Sequence, residues 1–138
     1  MGIIRRLALP LLWTLAAIAV WLSSPNAFAQ DGMAGHYVLS LSGMLLAFAA
    51  AYTALAIGRA NFHAWLGYGH LSLTAGGALL IVTPNVVVSL PMDPDARLAL
   101  WNTVSSIGYL MTLAGLIAFV IVLIDTWRRR SGPLTPAR

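Results

Sequence analysis

Hydrophobic and polar positions along this chain come in blocks. Four apolar runs, over about residues 7–22, 36–57, 62–90 and 100–127, are separated by short polar breaks. The runs are continuous rather than alternating, which argues against half-buried strands and predicts helices. The last three exceed the roughly 20 residues that an α-helix needs to cross a hydrocarbon core about 30 Å thick. Pro84 lies late in the third run. It should kink or end that helix and leave residues 85–90 as an interfacial extension. The first run is shorter. It follows Arg5 and Arg6 and leads into a polar stretch with small residues at Ala27 and Ala29. That pattern fits a secretory signal with a candidate cut after the small residues, and it fits an uncleaved anchor equally well. The predicted fold class is therefore all-α, an integral membrane helical bundle. Residues 1–30 form a signal peptide or N-terminal anchor helix, residues 34–130 a three-helix transmembrane domain, and residues 131–138, with Pro133 and Pro136, a disordered cytoplasmic tail.

Composition sharpens this reading. Of 138 residues, 59% are hydrophobic and only 9% charged, and mean hydropathy is +0.83. A soluble domain carries about 25% charged residues, so a chain this apolar cannot cover itself with polar surface. The formal net charge of +4 comes from arginine, since the chain has no lysine. The basic balance does not point to nucleic acid, because the arginines sit almost entirely at the ends of apolar runs. Arg5, Arg6, Arg59, Arg128, Arg129 and Arg130 fall on one side of a four-span topology, whereas Asp31, Asp93, Asp95 and Arg97 fall on the other. Positive charge marks the cytoplasmic side, which places both termini there and the protein in a bacterial-type inner (cytoplasmic) membrane. Removal of a signal would leave three spans with the same C-terminal orientation. Trp65, Trp101 and Trp127 fall near the expected boundaries, as interfacial anchors do. There is no cysteine, which excludes disulfides, thiolate metal sites and covalent c-type heme attachment.

Small residues recur at helical spacing: Gly43, Ala47 and Ala51 on the second run, with Ala50 and Ala54 close by, and Gly108, Thr112 and Gly115 on the fourth. Such stripes let helix backbones approach closely in lipid. They predict tight packing within the bundle, with a face for a partner subunit as the sharper alternative.

Three short motifs carry a resemblance. The second run opens Ala34-Gly35-His36-Tyr37-Val38-Leu39-Ser40. The third opens Phe62-His63-Ala64-Trp65-Leu66, followed by Leu73-Thr74. Leu90-Pro91-Met92 then leads to Trp101-Asn102-Thr103-Val104-Ser105-Ser106-Ile107-Gly108. In this order, over about residues 34–130, they resemble the last three transmembrane helices of the large subunit (subunit I) of heme-copper oxidases, the cytochrome c oxidase family. The family's tenth helix opens His-x-His-Tyr-Val-Leu-Ser, its eleventh with a pattern like Trp-His-Phe-Trp-Leu, and its twelfth Trp-Asn-x-x-Ser-Ser-Ile-Gly. The second histidine of His-x-His is an axial ligand of the low-spin heme there, so the resemblance implies that role for His36. The first histidine, which binds the high-spin heme, is replaced by Ala34. The family's copper ligands lie on earlier helices that this chain does not contain. The resemblance therefore implies no copper and no stand-alone oxidase activity.

Each histidine also has an ordinary reading. His36 is either a heme ligand completed by a second axial ligand from another chain or an interfacial residue making common hydrogen bonds. His63, between Arg59 and Trp65, is expected to reach the interface. His70 lies well inside an apolar run, where polar residues face protein or a cavity. It is expected to bond Ser72, Thr74 or Ser105, with a heme or pigment contact as the alternative. Asp125 is expected to pair with Arg128 or Arg129 one turn on. No phosphate loop, nucleophile triad or intramembrane carboxylate pair is present in the sequence. The expected function is a non-catalytic membrane subunit of a respiratory or other electron-transfer complex, in contact with lipid and other integral membrane subunits. A low-spin heme at His36 is its implied cofactor. The alternatives are the C-terminal piece of a split oxidase and a small heme-carrier or oxidase-assembly protein.

Overall fold

The computed structural model describes residues 3–23, 33–82 and 92–130. The cut site near Ala27 and Ala29, the extension at 85–90 and the tail at 131–138 lie outside the described residues. Among the described residues four helices follow one another: α1 (Ile3–Leu22), α2 (Met33–Ile57), α3 (Ala64–Val82) and α4 (Pro94–Arg130). No strand occurs among the described residues. Three helices are long and apolar enough to cross a membrane, and the apolar part of α1, Leu7–Leu22, is shorter.

Local chemistry fixes the helix ends. α2 closes on Arg59, whose φ of 50° is left-handed. The Ala60 N–H donates to the Leu55 carbonyl at 2.9 Å and the Arg59 N–H to that of Ala56 at 3.2 Å. This is a Schellman closure with arginine where glycine is usual. α4 starts earlier than the hydropathy pattern predicts, at Pro94 rather than near residue 100. The Asp93 carboxylate accepts from the backbone N–H of Asp95 and Ala96 at 3.1 and 3.2 Å, and Pro94 fills the first helical position. An aspartate cap followed by proline starts a helix whatever the hydropathy behind it. The 37 residues of α4 give a rod about 55 Å long, longer than a hydrocarbon core about 30 Å thick. α3 is described as far as Val82, two residues before Pro84.

α1 pairs with α2, α3 pairs with α4, and α1 touches α3. Around the bundle the order is α2–α1–α3–α4. The fourth side, between α2 and α4, is closed by side chains alone: among the described residues no Cα of α2 lies within 8 Å of a Cα of α4, while Phe48 and Tyr52 pack on Phe119. The tightest crossing joins α3 to α4. A Cβ on Gly77 would meet the Gly108 carbonyl oxygen at 2.6 Å, and one on Gly108 would meet that of Gly77 at 2.7 Å. Gly115 lies as closely on Thr74. The stripe on α4 is thus used inside the bundle, as expected. The stripe on α2 is not: Gly43 has nothing within 4 Å of where a Cβ would stand, and Ala47, Ala50 and Ala54 are exposed. The outer surface of α4 is a continuous apolar face including Leu110, Leu113, Ile117 and Ile121. Water would not tolerate it, and acyl chains would. Trp65 and Trp127, 70% and 72% exposed, stand out from the helix ends as anchors do.

Candidate functional site: a caged histidine and an outward histidine

All four helices contribute rings to one point in the bundle. α1 brings Trp13, α2 brings Phe48 and Tyr52, α3 brings His70 and α4 brings Phe119. Ring centroids of Trp13 and Phe48 both stand 4.6 Å from that of His70, and that of Phe119 stands at 5.1 Å. His70, Trp13 and Tyr52 are buried, with His70 and Trp13 at 0% exposure. Spacing explains the assembly: Phe48 and Tyr52 are one turn apart on α2, and Leu9, Trp13, Ala17 and Val20 make the buried stripe of α1.

His70 bonds Tyr52, with Oη 3.0 Å from Nδ1. The expected partners Ser72, Thr74 and Ser105 do not serve. Ser72 faces outward, while the Thr74 and Ser105 hydroxyls are buried without bonding it. A Tyr52 hydroxyl that donates to Nδ1 leaves fewest buried groups unpaired and puts the ring hydrogen on Nε2. Nε2 has no partner, and neither has Trp13 Nε1. The partner of His70 and the other members of the cage were not identified from sequence. The Phe48–Tyr52 pair at i, i+4 was the signal available.

His36 lies elsewhere, exposed near the start of α2. Gly43, Ala47, Ala50 and Ala54 follow it at intervals of seven, four, three and four, which puts all five on one side of the helix. That side points away from the core residues Val38, Leu45, Ala49 and Tyr52. His36 and His70 therefore do not share a site. No group of three or more histidine, aspartate or glutamate side chains is placed to hold a metal ion among the described residues.

The fit of a heme differs between the two histidines. At His70, rings close on the imidazole from three helices at van der Waals distance, and a porphyrin macrocycle has no room in that packing. At His36 the imidazole is exposed, and two turns further along the same side Gly43 has open space beside it. Only His36 fits the group, and only with its other axial side supplied from outside this bundle.

A third cluster joins α3 to α4 at the arginine-rich end. Asp125 accepts from the His63 backbone N–H at 2.8 Å, lies 3.1 Å from His63 Nδ1, and pairs with Arg129 Nε at 3.1 Å. The Arg129 guanidinium reaches His63 Nε2 at 2.6 Å. Asp125 thus bonds Arg129 as the i, i+4 spacing predicts, while His63 is held by this pair rather than only reaching the interface. The carboxylate also lies at the N-terminus of α3, where negative charge is favoured.

Comparison with family models, with curated proteins and with solved structures finds no match to this chain.

Proposed function

We propose that this chain is a non-catalytic integral membrane subunit of an electron-transfer complex, docked to its partner through the outward side of α2. The observation that carries the reading is the coincidence of His36 with an uncovered small-residue stripe on that one side. Small residues at spacing four invite close helix approach in lipid, and the bundle itself does not use them there. A low-spin heme bound at His36 would sit between this side of α2 and a partner helix that supplies the second axial ligand. The heme would carry electrons, while this chain's residues would hold and orient it. The similarity of the three motifs to the last helices of a heme-copper oxidase large subunit supports the same placement. Ala34, in place of the high-spin ligand, argues for an accessory rather than an oxygen-reducing role. The C-terminus lies in the cytoplasm in this reading, as the arginine distribution supports.

The test is purification of the tagged chain from its native membrane in mild detergent, followed by a reduced-minus-oxidised spectrum. The reading requires stoichiometric partner bands and a low-spin heme signal that disappears in His36→Ala. Isolation of the chain alone, with no membrane partner, would overturn it.

A further inference from the structure

Among the described residues, the buried hydroxyl and ring N–H groups that lack hydrogen-bond partners are of two kinds. Ser42, Thr74 and Ser105 carry hydroxyls, which can turn toward a carbonyl of their own helix. His70 Nε2 and Trp13 Nε1 cannot, because their N–H bonds are fixed in rigid rings. Both belong to fully buried side chains of the same cage, with ring centroids 4.6 Å apart. With Tyr52 donating to Nδ1, both are donors without an acceptor. Buried donors are ordinarily satisfied, so a pair of them in one cage calls for a missing acceptor. A water accepting from both would have two polar partners, the fewest at which buried waters are held, because the other walls are phenyl rings. A metal ion is a poor answer, since Nε2 holds the hydrogen.

The walls indicate the remaining shape. Phe48 and Phe119 are only partly buried, and they pack edge to face with centroids 5.0 Å apart. They meet across the side between α2 and α4, where side chains rather than backbones make the contact. Because both rings are partly exposed, displacing one of them would open the cage from this side. A flat molecule the size of the displaced phenyl would then stack on the remaining rings and present an oxygen to the two donors.

We propose that the Trp13–Phe48–Tyr52–His70–Phe119 cage binds the headgroup of a lipid-soluble quinone, entering between α2 and α4, with a carbonyl oxygen accepting from His70 Nε2 and Trp13 Nε1. Its isoprenoid tail stays in the seam between the two helices. This is a binding site only, and it depends neither on His36 nor on heme.

The test uses the full chain in nanodiscs of synthetic, quinone-free phosphatidylcholine. Thermal unfolding is followed against increasing decylubiquinone, menadione or decylbenzene, the last lacking any carbonyl. The cage predicts a saturable rise in unfolding temperature with at least one quinone and none with decylbenzene. A benzoquinone and a naphthoquinone offer the same acceptor, and their order tells which ring fits better. His70→Phe should weaken binding by at least about tenfold, and Trp13→Phe by several-fold, because each leaves less of the carbonyl satisfied. His36→Ala should bind like the unaltered chain. An equal response to decylbenzene, no saturable response to either quinone, or undiminished binding in Trp13→Phe would overturn the proposal. The probe comparison on the unaltered chain decides the matter even if His70→Phe does not fold.

Discussion

The Tyr52–His70 hydrogen bond links α2 to α3 inside a core built mainly from rings and aliphatic chains. Tyr52→Phe keeps the ring but leaves His70 Nδ1 buried without a donor. It should cost about 1–3 kcal/mol, measured by reversible unfolding in detergent, whereas adding His70→Phe should recover much of the loss by removing the orphaned group as well. Equal losses in the single and double variants would show that the bond contributes nothing. His70 was legible in the sequence, as a lone polar residue within an apolar run. Its partner was not, because Tyr52 lies 18 residues away on another helix, and the chain offers nearer hydroxyls at Ser72 and Thr74. Arg59 makes a second prediction at this scale. Its left-handed backbone carries a steric cost that glycine avoids, so Arg59→Gly should stabilise the protein by about 1 kcal/mol. Arginine there also places positive charge at the C-terminus of α2, which Arg59→Lys retains. If Arg59→Gly instead melts lower than Arg59→Lys, the charge matters more than the backbone.

Between elements, the same residue type has opposite meanings on α2 and α4. Gly77 and Gly108 bring α3 and α4 into backbone contact, so an added methyl must push carbonyl groups apart. Gly77→Ala should destabilise the protein by about 1–3 kcal/mol through overpacking. Gly43→Ala meets open space and should be neutral, or stabilising by up to about 1 kcal/mol through helix propensity. Gly43→Leu makes the sharper comparison. The isolated chain should fold normally with it, yet in the docking proposed above it should lose its membrane partner on purification. Retained partner bands would clear that side of α2 of any role in assembly. The sequence showed both stripes but not which one the bundle uses. In lipid the outward side of a helix is as apolar as the inward side, so hydrophobic patterning does not mark the buried face as it does in water. Helix lengths were misread for a related reason. Hydropathy located the spans, whereas the Asp93–Pro94 cap set the start of α4 and is visible only when capping chemistry is read.

At the scale of the whole molecule, the four described helices and their order were legible from the apolar blocks, but the place of α1 was not. A signal peptide and an anchor share the same basic start and apolar run. In the structure α1 supplies Leu9, Trp13, Ala17 and Val20 to the core, and the rings of Phe48, Tyr52 and His70 pack on Trp13. Loss of residues 1–29 would uncover this face of α2 and α3. Loss of Trp13 alone, in Trp13→Ala, should cost about 3–5 kcal/mol. The mature protein is therefore expected to keep α1, and its intact mass should show it. A mass matching a chain that starts after Ala29 would mean that the functional bundle has three helices and an open cage. Retention has a topological consequence that the absence of cysteine makes easy to read. With four spans, the α2–α3 turn and the start of α4 lie on opposite sides of the membrane. Asn61 and Ala96 are exposed at these two places. In the orientation proposed above, with the arginine-rich end cytoplasmic, an impermeant thiol reagent applied to intact cells should label Ala96→Cys at once and Asn61→Cys only after permeabilisation. Labelling in the reverse order would invert the bundle. It would put the Asp125–Arg129–His63 cluster outside and leave the arginine distribution without its usual cause.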